Sequence, residues 1–545
     1  MRPLSASCLA LLAALLLSAD APGASWPHET WGGPGARGTG AAGSRYATAV
    51  TIGDGAGQAG AEGEVAFLAG GKRLATVPFR VAPGGTARVT APEALEGRGA
   101  FLVRVLSSRA VSVWSETWNE TPDGRFGLSV PGFTAHETLS AGDVAAFAGG
   151  SGKTDALSAR SNVGLLCLHG GSCGAEVVVG AEDGTELGRG TLGAEPLSVE
   201  QRPLAEVVPA SKGLEGLSVR VVATKGRFRP YAVRNDNRTS DGVLVPQAVD
   251  RSLGSTFVFP LGCRPGADCW LGNYVDRDPG SRATRDYLGG KLTYDGHVGT
   301  DWLVNGFTAM DAGVDVLAAA HGQVLEIGDT NPDRCTSCGG ECAPDRANYV
   351  GISHPDGTIS VYLHLKAGSV LVAAGQTVSR GQKIAEVGSS GCSSDPHLHF
   401  HWADPARQAV LDPFTTPDDA YVTPWEEPAP YQGDAGLGVA RTVLSRQLVD
   451  LASWSLDPPL ATDLRRGEKV YLYLYVLRIA EGARYTLQLR DGAGTVVSSE
   501  SVTSDASTSY YLLALPLSLD GAAGDWDARI LEGDTVVKRV RFRVD

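Results

Sequence analysis

Methionine is scarce in this chain, with 2 in 545 residues, and mean hydropathy is −0.05. Beyond the amino-terminal segment no stretch reaches the ~18 consecutive apolar residues that a membrane-spanning helix needs, so a membrane bundle is excluded. Basic charge is also in short supply, with 47 Lys and Arg against 61 Asp and Glu and a net charge of −14. Phosphate backbones are held by clustered Lys and Arg, so nucleic acid is not an expected partner. The same deficit argues against long-range attraction to an anionic polymer. Several catalytic motifs are missing too. His28-Glu29 and His136-Glu137 lack the second His of the helical His-Glu-x-x-His site. Before Gly152-Lys153-Thr154 the first glycine of a phosphate loop is replaced by Phe147, and Gly388-Ser389-Ser390-Gly391 is not a nucleophile elbow.

Glycine and proline are abundant, at 70 and 30 residues. They punctuate the chain with turns and favour short strands, so the expected fold class is mostly β. The length implies three to five domains. Two segments, 44–131 and 159–249, read as diverged copies of one β-sandwich module, with Val130-Pro131 recurring as Val245-Pro246. Residues 255–415 form the next unit, and 416–437, rich in Pro, Asp and Glu, read as a linker. From 438 to 545 the pattern is again β. Val470-Tyr471-Leu472-Tyr473-Leu474-Tyr475-Val476 is one strand candidate, Val536-Val537-Lys538-Arg539-Val540-Arg541-Phe542-Arg543-Val544 alternates strongly, and an immunoglobulin-like sandwich is expected. Its aromatics serve a buried core in most cases, with glycan binding as the rival use. The Gly-rich stretch 31–43 reads as another linker.

Residues 1–25 carry the marks of an export signal: Arg2, an apolar run from Leu9 to Leu17, then Ala19, Ala21 and Ala24. Export leaves eight cysteines in a compartment where disulfides persist. Cys167/Cys173 and Cys263/Cys269 are local pairs, whereas Cys335, Cys338, Cys342 and Cys392 leave three connectivities open. Cys335-x-x-Cys338 is also compatible with a thiolate metal site.

Seven of the ten histidines (297, 321, 354, 364, 397, 399 and 401) fall between residues 297 and 401. Imidazole and carboxylate are the ligands that Zn²⁺ takes when it keeps a position open for water. In Pro396-His397-Leu398-His399-Phe400-His401-Trp402 imidazoles alternate with apolar residues. On a strand that puts the three histidines on one face and Leu398, Phe400 and Trp402 on the other.

Five phrases stand in order between about Gly290 and Phe414: His297-Val298-Gly299-Thr300-Asp301, Asn348-Tyr349-Val350-Gly351-Ile352-Ser353-His354, Tyr362-Leu363-His364-Leu365, Gly375-Gln376-Thr377-Val378-Ser379-Arg380-Gly381-Gln382 and Asp395-Pro396-His397-Leu398-His399-Phe400-His401. With them this stretch resembles the lysostaphin and β-lytic type of zinc endopeptidase. The resemblance implies an antiparallel β catalytic domain in which His297, Asp301 and His399 bind Zn²⁺ and His364 and His397 act beside it. It implies a secreted or periplasmic, monomeric endopeptidase acting on peptidoglycan cross-links or Gly-rich peptides. A wall-binding protein without activity and a protease of soluble Gly-rich proteins are the alternatives. His354 is expected to be structural and His321 to sit at an exposed turn. His401 and Asp395 stand where the family has Glu and Gly, and His401 can serve as an outer partner or as a competing ligand. The segment Asp329–Ala347 looks inserted at the cleft.

Overall fold

Strict alternation in the sequence becomes strands that bury one face each, and the strands form several separate sheets. The computed structural model describes residues 28–39, 45–54, 59–121, 124–239, 241–280, 282–416, 419, 421–433, 435–449, 458–505 and 508–545. The export signal expected at 1–25 lies outside the described residues. Among these residues the α-helices are Leu204–Val207 and Gly306–Ala312, and the fold is mostly β.

The histidine-rich region is built on an eight-stranded sheet. Its order is Cys269–Asn273, Thr300–Val304, His397–Asp404, Ile359–Leu363, Tyr349–Ser353, Gly322–Gly328 and Thr377–Val378, with Ala409–Leu411 beside His397–Asp404. Its pairings are antiparallel. Leu398 and Phe400 are fully buried and join a core with Phe257, Tyr362, Phe414 and Trp425. The opposite face of that central strand carries the histidines, so the core below acts as a floor for the site above.

Trp425, within the stretch 416–437 expected as a linker, belongs to this core, and Tyr421, Ala429 and Tyr431 pack against it. Trp425 is 3% exposed, Phe257 N donates to Pro424 O at 2.8 Å, and Glu426 N donates back to Phe257 O at 2.9 Å. Tyr431 Oη donates to Asp286 at 2.9 Å. Prolines and acids mark turns in this segment, whereas its attachment comes from Trp425 and Tyr431 packing side by side with distant aromatics.

Residues 31–39 also depart from the linker expectation. His28–Trp31 pairs with Ala100–Ser107, and Trp31 is fully buried. Here glycine permits close approach: a Cβ on Gly33 would meet Val130 Cβ at 2.5 Å, and one on Gly35 would run into the Phe101 ring. This first unit is two facing sheets around Val50, Phe67, Phe101 and Val103. The second is one seven-stranded sheet that turns on itself through two long strands, Ala159–Gly180 and Leu217–Asp236. Irregularities in their pairing fall around the Cys167–Cys173 disulfide. A shared cluster of Trp31, Phe133, Leu166, Leu168 and Tyr231 joins the two units.

The carboxy-terminal unit has a three-stranded sheet (Gly438–Ser445, Lys469–Ile479, Thr508–Ser518) and a four-stranded one (Val496–Thr503, Arg484–Arg490, Gly524–Glu532, Thr535–Val544). Leu472, Leu474, Trp526 and Val544 fill the space between them.

Trp425→Ala is expected to cost about 3–5 kcal/mol, the usual range for emptying a large aromatic site. Urea unfolding of the full chain measures this, and an unshifted midpoint would show that the segment is only a tether.

Candidate metal centre

Strand register brings the first candidate residues together. In the pairing of Thr300–Val304 with His397–Asp404, Asp301 lies directly opposite His399, which puts their Cβ atoms ~5 Å apart. His297 enters from the turn before the strand, and its Nδ1 donates to Tyr274 O at 2.7 Å. That bond leaves Nε2 as the lone-pair nitrogen, 3.1 Å from Asp301 Oδ1 and 3.2 Å from His399 Nδ1. His399 Nδ1 is 2.9 Å from the same Asp301 oxygen. The three ligand atoms lie within 4.8 Å of one another, and all three residues are buried.

These residues fit a divalent cation. Two imidazole nitrogens and a carboxylate oxygen converge on one point, a donor set of the kind a borderline divalent cation takes. Burial alone would push the Asp301 carboxyl up, but His297 and His397 hold it well below the usual carboxylate range. Burial works to lower His297 as well, and Asp301 outweighs it and raises this imidazole. At His399 burial wins over the Asp301 bond and the shift is downward. Gly299 makes the approach possible, because a Cβ there would collide with the His399 ring.

His364 and His397 border this trio. His397 Nδ1 donates to Asp395 O at 2.7 Å, and its Nε2 is 3.7 Å from Asp301 Oδ1. His364 Nδ1 donates to Ser390 O at 2.6 Å, and the His364 and His397 ring centres are 4.5 Å apart. In each ring Nδ1 is therefore the nitrogen committed to a carbonyl. His364 has φ of 62°, a left-handed backbone that costs a non-glycine residue about 1–3 kcal/mol. Burial, then the charges of His397 and His399, lowers its imidazole to about 3.

Other histidines lie apart from the trio. His401 is on the same strand face with its ring 6.5 Å from that of His399, and it is not in the three-ligand group. Burial lowers it to about 4. His354 is buried, donating to His321 O at 2.9 Å and lying 2.9 Å from Ser360 Oγ. His321, expected to be exposed, is half-buried, and its carbonyl accepts from His354.

The inserted segment braces the site. Its disulfides are Cys335–Cys342 and Cys338–Cys392, so the second one fastens it to the loop before His397. Cys335 N donates to Ser389 O at 2.8 Å, and Ser389 Oγ donates to Cys335 O at 2.7 Å. The adjacent Ser390 supplies the carbonyl that holds His364. With all four cysteines in disulfides, the thiolate metal site drops out.

Asn273 and Tyr294 escaped the sequence reading. Asn273 Nδ2 donates to Asp301 Oδ2 at 2.9 Å, and a register irregularity between Leu271 and Asn273 sets it opposite Asp301. The Tyr294 ring lies 4.4 Å from that of His297. Tyr294, three residues before His297, was within reach of a local reading. For Asn273 the signal is a strand pairing across 28 residues, which no local motif reports. Asn273→Ala should weaken divalent-metal binding by about 10–100-fold, measured by competition with a chromophoric chelator. An unchanged affinity would mean that this amide does not orient the carboxylate.

Residues 296–413 match the family model described as peptidase family M23. The peptidoglycan DD-endopeptidase ShyA of Vibrio cholerae is 46% identical over 57 residues, 10% of this chain and 13% of that protein. A protein of Haemophilus influenzae named as an uncharacterized metalloprotease is 34% identical over 106 residues, 19% of this chain and 18% of its own length. The chain thus spans less than a fifth of the length of these curated relatives. The catalytic domain of lysostaphin from Staphylococcus simulans aligns at 24% identity, covering 26% of this chain and 85% of that one with a TM-score of 0.17. His297, Asp301, His364, His397 and His399 all lie inside residues 296–413, the segment that matches the peptidase family M23 model.

Proposed function

We propose that this protein is an exported zinc endopeptidase that hydrolyses peptide cross-links of bacterial peptidoglycan, acting as a monomer. The observation that carries this reading is the convergence of His297, Asp301 and His399 within 4.8 Å in a peptidase family M23 segment, beside two further imidazoles. Two nitrogens and one oxygen favour Zn²⁺ over the hard oxygen-seeking ions. When bound there, the ion supplies Lewis acidity to an attacking water and to the scissile carbonyl.

The remaining work falls to the chain itself. His364 and His397 each commit Nδ1 to a carbonyl, so each offers Nε2 as a proton acceptor. In the proposed reaction one takes the proton of the attacking water. The other, charged by a proton taken from solvent, stabilises the oxyanion or protonates the leaving amine, and the first returns its own proton to solvent. The buried floor formed by Leu398 and Phe400 keeps the rings from sinking away from the substrate side.

In the proposed organisation, residues 255–437 are the catalytic unit, following two β modules at 28–131 and 159–249 and preceding a sandwich at 438–545. The four disulfides among the described residues support an oxidising destination and thus an export signal at 1–25.

His399→Ala or Asp301→Ala should abolish both metal retention and hydrolysis. His364→Ala or His397→Ala should retain the metal and lose turnover by about 100-fold or more. Metal content by mass spectrometry and release of soluble fragments from peptidoglycan sacculi measure the two effects. Chelator should stop the release and added Zn²⁺ restore it. Cleavage of a pentaglycine peptide with no action on sacculi would move the substrate to soluble Gly-rich proteins. Metal binding without cleavage of either would leave a wall-binding protein.

A further inference from the structure

The strand Lys469–Ile479 has two different faces. Val470, Leu472, Leu474 and Val476 are at most 2% exposed and point into the carboxy-terminal core. Tyr471, Tyr473 and Tyr475 lie on the reverse side, where a sandwich sheet ordinarily meets water. Here that side is covered in part. Tyr473 is 1% exposed, packed with Val443 and Leu512, and its Oη donates to Gln447 O at 3.0 Å and accepts from Val449 N at 2.7 Å.

The neighbouring strand Thr508–Ser518 brings Tyr510 to the same face. Tyr475 pairs with Leu512 and Leu477 with Tyr510, so the two tyrosines are diagonal neighbours. Their hydroxyls reach the catalytic unit at one place. Tyr510 Oη is 2.6 Å from Ser394 Oγ, and Tyr475 Oη is 3.5 Å from Asp395 Oδ1. The Asp395 side chain is buried at this contact, its residue 1% exposed. Burial pushes the Tyr510 phenol up, against the Ser394 bond, and the carboxylates of Asp395 and Asp301 push it further, so it stays a hydroxyl.

The loop that these tyrosines touch is the one that holds His397. Asp395 O accepts His397 Nδ1 at 2.7 Å. Ser393 Oγ donates to that same carbonyl at 2.9 Å and lies 3.4 Å from His397 Nδ1. On the far side Ser389 Oγ, which bonds to Cys335 O, lies 2.8 Å from Ser393 Oγ and links the loop to the disulfide-braced insertion. The Ser393–Asp395 loop is thus pinned from one flank by Ser389 and from the other by a separate sandwich. The Thr508–Ser518 strand also approaches Cys269–Asn273, the strand that carries Asn273 to Asp301.

We propose that Tyr510 and Tyr475 are positioning residues for His397, making the carboxy-terminal sandwich a structural part of the catalytic centre. The tyrosine face is a docking surface for residues 394–395, and the contact keeps the Asp395 carbonyl where it fixes the His397 ring with Nε2 towards Asp301. A tyrosine suits this place because its ring packs against the sandwich while its hydroxyl bonds across the junction. Geometry this close to a reacting centre is steep, since a displacement of ~1 Å can cost ~10²-fold in rate.

The effect on turnover rests on the proposed endopeptidase reading, whereas the effect on the His397 ring does not. Tyr510→Phe and the double variant Tyr475→Phe/Tyr510→Phe remove hydroxyls and keep the rings, and Ser394→Ala cuts the same bond from the catalytic side. With a soluble cross-linked muropeptide, kcat should fall about 3–10-fold in each single variant and by more in the double one, with KM within about twofold and bound Zn²⁺ unchanged. Ser394→Ala combined with Tyr510→Phe should lose little beyond either alone, since both break one contact. Independently of turnover, long-range ¹H–¹⁵N spectra of full-length protein labelled at histidine should show the His397 Nδ1 tautomer in the wild type. Faster Nδ1–H exchange or a mixed tautomer is expected in the variants. A wild type that cleaves neither the muropeptide nor sacculi sinks the endopeptidase reading, and the spectra still decide the positioning role. Unchanged kcat together with an unchanged His397 spectrum overturns the proposal. So does a loss confined to insoluble sacculi, which would make the sandwich a wall anchor.

Discussion

A buried carboxylate governs the design of this molecule. Asp301 is 3% exposed and sits under His297, His397 and His399 with Asn273 on its second oxygen. A charge removed from water must be answered by opposite charge or by hydrogen bonds, or it is given up by protonation. Here every neighbour is arranged to keep it: two imidazole nitrogens within 3.1 Å of Oδ1 and an amide donor at Oδ2. Such a pocket has a strong preference for a cation, and much of the surrounding structure serves to stop it from collapsing or hydrating.

That requirement explains why supports arrive from so many directions. The apolar face of His397–Asp404 is fully buried at Leu398 and Phe400, which fixes the strand from below. The insertion, closed by Cys335–Cys342 and tied by Cys338–Cys392, fixes the loop from which Ser390 holds His364. Left-handed backbone at His364 is a local cost that these contacts over-determine. From the third side the tyrosine face meets Ser394 and Asp395. Rings held through Nδ1, as those of His297, His364 and His397 are, keep one defined nitrogen for chemistry, and this depends on the carbonyls staying in place.

The amino-terminal units are joined to the same body through polar contacts. Thr256 Oγ1 donates to Asp143 Oδ2 at 2.7 Å, and Asp356 N donates to Ser255 Oγ at 3.1 Å. Arg251 and Arg380 both reach Glu426, the residue after the buried Trp425. This junction uses side chains from 143, 251, 256, 380 and 426, so it clamps the second β module to the floor of the site.

What the sequence determined by itself was local. Alternation in 396–402 dictates which residues face down and which face up, because side chains on a strand have a period of two. The close cysteine pairs 167/173 and 263/269 were legible for the same reason, since short loops leave few partners. The phrases around His297, His364 and His397 pointed to a shared centre only through their resemblance to a family. Tertiary structure decided everything that depends on register and packing between distant segments: Asn273 opposite Asp301, Cys338 with Cys392, Trp31 and Trp425 in cores, and Tyr510 against Ser394. A linker composition looks alike whether the segment hangs free or packs. One large aromatic meeting a remote hydrophobic surface makes the difference, and that meeting is a property of the folded chain.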